Sequence, residues 1–244
     1  MRNILLTLKY DGTNYHGWQI QENAVTVQQV LADAIEKITK QKIMPTGCSR
    51  TDSGVHANMF CCNFKSDITL PDKEIIKALN GNLPFDVVVT DCMTVNDDFH
   101  ARYDCKSKEY IYRIVASPVR NPFLENYAIH YKYPLNIDDM NYAAKQLIGT
   151  HDFSAFCSVG SNVQSTERQI FNAEFSKKDD LVTFSIEGDG FLYNMVRIIV
   201  GTMLYVSQGK IKKEDIHNII LSKNRENAGP TAPAKALFLN KVNY

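Results

Sequence analysis

The pattern of apolar and polar residues divides the chain into alternating strands and amphipathic helices. The first apolar run, NILLTLK at residues 3–9, predicts a strand, and the turn-rich loop YDGTNYHGWQIQENA follows it. A helix is predicted to begin at Thr26, because Thr26 and Gln29 have capping-box spacing. Its apolar positions repeat with the helical period: Val27, Val30, Leu31, Ala34, Ile35 and Ile38.

The remainder of the first half continues this alternation. After the loop GCSRTDSGVHA, the segment MFCCNFKS predicts a second strand. A helix is predicted from Pro71 to about Leu79, ended by Asn80 and Gly81, and the strand DVVVTDCMTV follows. The predicted order is therefore strand, helix, strand, helix, strand.

The second half repeats this order with little shared sequence. It predicts the strand EYIYRIVAS, a helix from Asn136 to Gly149, strands around Ala173–Phe175 and Leu181–Ile186, an apolar helix from Asn194 towards Ser207, and the strand ALFLNKV. We therefore predict an α+β fold of two similar domains, residues 1–104 and 105–244, each an antiparallel sheet backed by helices. A central cleft between the domains would be a common kind of ligand site.

Composition narrows the classes of protein that this chain can belong to. With 44% hydrophobic and 22% charged residues it should bury a sizeable core. No apolar run approaches the ~20 residues of a membrane span, and the start MRNILLTLKYDG turns polar too soon for a signal peptide, so a cytoplasmic protein is expected. The 27 basic and 27 acidic residues cancel, although the second half is the more basic.

Cofactor and metal signals are weak in this sequence. The six cysteines have no CxxC spacing and the six histidines form no paired helical set, so neither zinc nor a disulfide framework is expected. Buried reduced thiols are the simplest interpretation. The chain also lacks a P-loop and a dinucleotide fingerprint, and we expect no cofactor.

The loop GCSRTDSGVHA, Gly47–Ala57, places Arg50 and Asp52 two residues apart among small residues. Asp-Ser-Gly is an ordinary turn sequence, and a neighbouring Arg and Asp form at most a weak exposed ion pair. A carboxylate can also act as a nucleophile or a base. The loop alone does not decide between these interpretations.

Five blocks, in order along nearly the whole chain, resemble the tRNA pseudouridine synthase A family. They are YDGTNYHGWQIQ, SRTDSGVHA, FHARYDCKSKEYIYRI, GDGFLYNMVRIIVG and AGPTAPAKALFL. The resemblance implies the pseudouridine synthase fold with an RNA-binding cleft, and an enzyme that isomerises uridine to pseudouridine at nucleotides 38–40 in the tRNA anticodon stem-loop. It implies tRNA as partner, a homodimer and no cofactor.

The resemblance also implies roles for individual residues. Asp52 matches the catalytic carboxylate, as nucleophile or base, and Arg50 matches the arginine that occupies the space of the flipped nucleotide. Tyr110 matches the tyrosine that stacks on the uracil, whereas alternation with Tyr112 is also typical of strand packing. Arg197, in an apolar helix, matches the ion-pair partner of Asp52.

Alternatives remain for several of these residues. Arg197 could instead pair with Glu187 or Asp189. Arg168, in STERQI, is the best candidate among the basic residues for an RNA contact. Ser49 and Ala236 stand where the family commonly has glycine, which puts loop geometry in question. The competing functions are the same chemistry on another tRNA or rRNA site, and a tandem RNA-binding protein without catalysis.

Overall fold

The computed structural model describes residues 1–160 and 163–244. Contacts group the chain into two compact units. The first is Met1–Lys106 together with Phe238–Tyr244, and the second is Ser107–Leu237. The domain boundary expected between residues 104 and 105 stays a prediction.

The first unit contains the predicted strands and helices in the predicted order, with one further strand of two residues, Thr46–Gly47, between the first helix and the strand that follows it. They are β1 (Arg2–Tyr10), α1 (Val27–Thr39), β2 (Thr46–Gly47), β3 (His56–Ser66), α2 (Asp72–Asn80) and β4 (Val87–Val95). The side chain of Thr26 accepts the Gln29 N–H and begins α1, as predicted. The Gln29 side chain donates to Asp33, however, so only one half of the capping box forms.

The second unit contains more elements than the sequence pattern predicts. They are β5 (Ser107–Ala116), β6 (Ile129–Tyr131), α3 (Ile137–Lys145), β7 (Gly149–Asp152), β8 (Glu167–Lys178), β9 (Leu181–Gly188), α4 (Met195–Ser207) and α5 (Ile216–Ser222). The last strand of the chain is β10 (Leu237–Asn243). Asn136 caps α3 by accepting the Asp139 N–H, as the position of Asn136 predicts.

Each unit has a mixed sheet, so the prediction of purely antiparallel sheets is wrong. In the first unit β1 pairs antiparallel with β3 and β4, but β10 joins β3 in parallel, with Phe238 opposite His56. In the second unit β9 pairs antiparallel with β5 and β8, β7 pairs with β8, and β6 lies parallel to β5. Alternation fixes which side chains share a face but not which strand lies alongside, so sequence pattern cannot detect parallel pairing.

Two predicted boundaries are also wrong. Strand β3 begins at His56, so His56 and Ala57 belong to the strand and not to the loop GCSRTDSGVHA, which we call the motif loop. Helix α3 ends at Lys145, and Ile148 is 41% exposed, because Gly149 at φ 114° already starts β7. Both errors lie at element ends, where the apolar pattern of a helix or strand is continued by neighbouring apolar residues.

Helices cover one face of each sheet and form the cores. Helix α1 buries Val27, Leu31, Ala32, Ala34 and Ile35. Helix α4 is apolar nearly all round and is largely buried. Full burial of one such aliphatic side chain stabilises the fold by about 1.5–3 kcal/mol. No helix in the described ranges is long and apolar enough to cross a membrane.

Candidate active site

The motif loop connects β2 to β3 in the first unit and contains a tight turn. The Val55 N–H donates to the Asp52 carbonyl oxygen at 3.1 Å, and Gly54 has a φ of 77°. A positive φ at the third turn position favours glycine, which explains Gly54. Asp52 is half-buried, whereas Ser53 is exposed. The turn interpretation of Asp-Ser-Gly is therefore correct, and it is compatible with a chemical role for the Asp52 carboxylate.

The opening loop, residues 11–25, holds the motif loop through backbone hydrogen bonds. The Trp18 N–H donates to the Thr51 carbonyl at 3.2 Å, and the Gly54 N–H donates to the Tyr15 carbonyl at 3.1 Å. The hydroxyl of Tyr10, at the end of β1, lies 2.9 Å from Thr51 Oγ1. These bonds restrain the residues on both sides of Asp52, so the backbone that carries its carboxylate is fixed from two directions.

Two glycines permit this close approach of one loop to the other. A Cβ atom at Gly12 would lie 2.0 Å from the Val55 carbonyl oxygen, and one at Gly17 would lie 2.3 Å from the Thr51 carbonyl oxygen. Gly17 also has a φ of 85°, in the left-handed region. Any side chain at either position would displace the motif loop. The opening block YDGTNYHGW therefore has a direct structural reason for both glycines.

Trp18 fixes the opening loop to the sheet. Its side chain is 3% exposed and stacks on Phe60 with ring centroids 4.1 Å apart. A Cβ atom at Gly47 would lie 2.6 Å from Trp18 Nε1, so residue 47 must be small because the indole lies against it. Trp18 is therefore a packing residue of the opening loop.

Arg50 extends from the motif loop into solvent. It is exposed, and its side chain makes no ion pair or hydrogen bond with another residue in the part of the chain that the structure describes. The simple alternative, an ion pair with the neighbouring Asp52, is thus not formed. The guanidinium is available to a bound partner, and its five donors suit phosphate oxygens or the face of a base.

Tyr110 lies on β5 in the second unit, opposite Ile186 of β9. It is 5% exposed, and the Phe191 ring meets it edge to face at 5.1 Å and 82°. Tyr112, two residues on, is fully buried and donates its hydroxyl to the Pro233 carbonyl at 2.8 Å. Burial raises the pKa of the Tyr112 phenol above its usual range. Tyr112 is therefore a core packing residue.

Arg197 projects from the first turns of α4 and is half-buried. Its Nε donates to the Ala232 carbonyl at 2.7 Å, and its Nη1 donates to Asn194 Oδ1 at 2.7 Å. Asn194, the residue before α4, has a φ of 60° and donates its own amide to Ser158 Oγ. These bonds fix the orientation of the guanidinium before any substrate arrives.

The terminal block AGPTAPAK lies against α4. The Gly229 N–H donates to Thr202 Oγ1 at 2.8 Å, and the Ala232 N–H donates to the Arg197 carbonyl at 3.1 Å. A Cβ atom at Gly201 would lie 1.7 Å from the Pro230 carbonyl oxygen, so only glycine fits there. The block therefore supports the helix that carries Arg197, which explains in physical terms why the two blocks occur together.

Arg168, at the start of β8, is half-buried and uses Nη1 to donate to the Ser165 and Glu167 carbonyls. It therefore has a visible structural role in its own hairpin. Its Nε lies close to Gly190, where a Cβ atom would approach it to 3.3 Å. A substrate contact by Arg168 stays a prediction.

One short segment of the second unit gathers three of the predicted site residues. This segment, residues 189–194, follows β9, and the sequence analysis gives no site role to Gly190, Phe191 or Asn194. Gly190 lies beside Arg168, Phe191 contacts the Tyr110 ring, and Asn194 accepts from Arg197. The block GDGFLYNMVR was visible as a motif, but only the structure shows what Phe191 and Asn194 contact.

Asp189 and Glu187, the alternative acid partners of Arg197, each accept a hydrogen bond from another residue. Asp189 Oδ1 accepts the Gln169 N–H at 3.0 Å, and in the described ranges Asp189 makes no ion pair with Arg197. Glu187 Oε1 accepts the Ser107 hydroxyl at 2.6 Å. Whether Glu187 or Asp52 pairs with Arg197 stays a prediction.

The cysteines are free thiols, four buried and two, Cys105 and Cys157, half-buried. Burial raises the pKa of Cys61 to about 11, so this thiol stays protonated and unreactive at neutral pH. In the described part of the chain no group of three or more His, Cys, Asp or Glu side chains is placed to hold a metal ion.

These features match a family of RNA-modifying enzymes. The family model described as "tRNA pseudouridine synthase" matches residues 7–104 and 143–244, and the chain belongs to this family. Two relatives named "tRNA pseudouridine synthase A", from Thermoanaerobacter sp. (strain X514) and Clostridium acetobutylicum, are 50% and 48% identical over 244 residues, covering 100% of this chain and of each relative. A crystal structure of a Cbf5-Nop10-Gar1 complex is 12% identical with a TM-score of 0.34, covering 96% of this chain and 57% of that chain, too weak a likeness to bear on the fold.

Proposed function

We propose that this protein isomerises uridine to pseudouridine in the anticodon stem-loop of tRNA, at nucleotides 38–40. The observation that carries the proposal is the full-length match, at 50% identity, to a tRNA pseudouridine synthase A. The residues expected of such an enzyme stand at their motif positions: Arg50, Asp52, Tyr110 and Arg197. Such a reaction needs no redox step, since one glycosidic bond replaces another.

The chemistry requires a carboxylate more than any other group. The N1–C1′ bond breaks, the uracil turns while it is still bound, C5 bonds to C1′, and the C5 proton is lost while N1 gains one. We assign to Asp52 the step that starts this exchange, either attack on an electron-poor carbon or removal of a ribose proton. The fixed turn at Asp52 supports this assignment, because a carboxylate acts well only when its geometry is set beforehand.

Arg50 and Tyr110 act on the target nucleotide at different steps in this proposal. Extruding a stacked base costs a few kcal/mol, which contacts from the enzyme must offset. The Arg50 guanidinium is exposed and makes no ion pair or hydrogen bond within the described residues, so it can fill the vacated space and bind phosphate at the same time. Tyr110, oriented by Phe191, offers an aromatic ring on which the flipped uracil can stack.

Stem mismatches separate the two roles. Arg50→Ala should slow the single-turnover reaction strongly on folded tRNA, and mismatches that weaken the anticodon stem should restore part of the rate, because extrusion becomes easier. The same mismatches should not restore Tyr110→Leu, which lacks the stacking face. Rescue of Tyr110→Leu without rescue of Arg50→Ala would contradict the division of roles.

Arg197 is assigned as the ion-pair partner of Asp52, an assignment that rests on the family motif. The bonds of Arg197 to Ala232 and Asn194 support it, because they set the direction of a charge on an apolar helix. Arg197→Lys keeps the charge but loses the planar fork, and should lower the rate of chemistry with little effect on tRNA affinity. A double-mutant cycle with Asp52→Asn, measured on the free energy of unfolding because Asp52→Asn is expected to be inactive, should show strong coupling, whereas additive losses would exclude the pair.

The wider assembly is also part of the proposal. The two units would form a central RNA-binding cleft, Arg168 would contact the RNA, and two copies of the chain would bind tRNA as a homodimer in the cytoplasm. Light scattering of the purified protein should give the mass of a dimer, and in the presence of tRNA the mass of that dimer plus the bound tRNA. A stable monomer with full activity would exclude the dimer.

Pseudouridine mapping tests the function itself. Carbodiimide modification and primer extension on total RNA, from cells with and without the gene, should show loss of signal at nucleotides 38–40 of tRNA. Loss at another tRNA or rRNA site would select the same chemistry on a different target. Unchanged pseudouridine with retained RNA binding would instead indicate a tandem RNA-binding protein.

A further inference from the structure

A buried histidine four residues beyond Asp52 is not used by the chemistry described above. His56, the first residue of β3, is 1% exposed, and its ring stacks on Phe238 at 4.6 Å and 25°. A buried imidazole is stable only if its nitrogen atoms have hydrogen-bond partners. The identity of those partners shows what the ring does.

Nδ1 of His56 faces two groups, one a hydrogen-bond donor and the other an acceptor. The Gly12 N–H points at Nδ1 from 3.0 Å, and Asp11 Oδ1 lies 3.1 Å away. One nitrogen cannot accept a hydrogen from Gly12 and donate one to Asp11 at the same time. The Asp11 oxygen already accepts from the Thr13 N–H at 2.9 Å and from the Thr13 hydroxyl at 2.5 Å. The arrangement therefore fits Nδ1 as the acceptor of the Gly12 N–H.

This bond lies where the opening loop meets the turn that carries Asp52. Gly12 lies directly on the Val55 carbonyl, with room for no side chain. Val55 in turn closes the turn by donating to the Asp52 carbonyl. A shift of the Gly12 peptide would therefore move Val55, and Val55 is hydrogen-bonded to Asp52. Loss of the acceptor at His56 would leave the Gly12 N–H buried without its partner and would free this side of the loop.

We propose that His56 is a positioning residue for Asp52: its Nδ1 accepts the Gly12 N–H, and this bond holds the opening loop against the turn that sets the Asp52 carboxylate. The proposal deepens the proposed function and rests on it for the role of Asp52. His56 does not touch the substrate in this account. A displacement of a catalytic group by about 1 Å can lower a rate about 100-fold, so a single bond at this place has a measurable effect.

Three substitutions at His56 separate the proposed bond from general packing. His56→Asn places an amide oxygen where Nδ1 was and should keep the single-turnover rate within about threefold of wild type, since a good acceptor remains. His56→Leu keeps bulk without an acceptor and should lower the rate by about 30- to 100-fold at saturating enzyme, with tRNA affinity unchanged. His56→Gln places its acceptor at the position of Nε2 and should behave like His56→Leu, which provides a polar variant if the leucine does not fold.

His100 offers a matched control in the same unit. Its Nδ1 also accepts backbone N–H groups, those of Arg102 and Tyr103, but in a different loop. His100→Leu should change stability without changing the single-turnover rate. Asp11→Asn tests whether Nδ1 of His56 accepts or donates a hydrogen. The variant keeps the oxygen that Thr13 binds, so its single-turnover rate should change little. A fall in rate as large as that of His56→Leu would show an Asp11–His56 ion pair and overturn the acceptor assignment.

The outcomes separate this inference from the function on which it rests. Equal rates for His56→Leu, His56→Asn and wild type, with Asp52→Asn inactive, would overturn the positioning role and leave the function intact. A rate for His56→Asn as low as that for a folded His56→Leu would also overturn it. Full activity of Asp52→Asn would instead remove the function itself.

Discussion

The loop that carries Asp52 and the elements that carry Tyr110 and Arg197 are stabilised in different ways. Asp52 lies on an irregular loop held by hydrogen bonds from a second loop, and the approach of the two loops depends on Gly12 and Gly17. Tyr110 and Arg197 lie on a strand and a helix whose backbones are held by core packing, and the Arg197 side chain is oriented in addition by its hydrogen bonds to Ala232 and Asn194. The position of the Asp52 carboxylate, which we propose to be catalytic, therefore depends on a few close backbone contacts, whereas the backbone positions of Tyr110 and Arg197 depend on the core.

This contrast predicts that damage to the first region lowers activity and damage to the second lowers stability. A loop held by a few bonds can shift while the sheet beneath it stays folded. A helix that is buried nearly all round cannot shift without repacking the core. Substitutions that add a single methyl group at equivalent close contacts test the contrast.

Gly201→Ala should have the largest effect. The added Cβ would lie 1.7 Å from the Pro230 carbonyl oxygen, in the core contact between α4 and the terminal block. We expect a loss of about 3 kcal/mol in the free energy of unfolding, because the helix or the block must move apart. Urea denaturation followed by circular dichroism measures this loss, and a change below 1 kcal/mol would show that the contact is more adaptable than described.

Gly12→Ala should have a smaller effect on folding and act on the rate. The methyl group would lie 2.0 Å from the Val55 carbonyl oxygen and push the opening loop off the turn at Asp52. The single-turnover rate should fall about 100-fold, equivalent to about 2.7 kcal/mol in the activation barrier, while the urea midpoint changes little. Gly209→Ala, where a Cβ meets nothing within 4 Å, is the control for a glycine substitution as such, although its φ of 69° adds some strain. A fully active Gly12→Ala would show that the close contact does not position Asp52.

Tyr112→Phe should have the smallest effect of the three. The hydroxyl bond to the Pro233 carbonyl is lost, but the ring and its packing on β5 remain. We expect the free energy of unfolding to fall by about 1 kcal/mol, the usual contribution of one hydrogen bond, because a buried carbonyl is left without its donor. The single-turnover rate should not change. A marked fall in rate with normal stability would mean that Tyr112, and not only Tyr110, takes part in the site.

Periodicity and capping predict most of the helices and strands because these signals are local. Thr26 and Asn136 cap their helices as expected, and α4 follows its apolar run from Asn194. The pattern does not predict helix α5, although Ile216, Ile219 and Ile220 have helical spacing, because the run is only two turns long. The short strands β6 and β7 give no pattern long enough to detect.

The site could be predicted only in part for a different reason. The motif residues are visible because their order along the chain resembles a family, but their supports are long-range contacts. No local rule connects Gly12 with Val55, Trp18 with Thr51, or Tyr110 with Phe191. The parallel pairing of β10 with β3, which places Phe238 on His56, is likewise invisible to alternation.

The most direct test of the account is the single-turnover rate of Asp52→Asn on tRNA, measured beside tRNA affinity by filter binding. The amide keeps the shape of the side chain and removes the ionised carboxylate, so we predict no detectable pseudouridine with near-normal tRNA binding. Asp104→Asn is the control, because the Asp104 carboxylate accepts the His100 N–H in another loop of the same unit, and this variant should react at the wild-type rate. Near-normal turnover by Asp52→Asn would contradict the central claim that this carboxylate carries the chemistry.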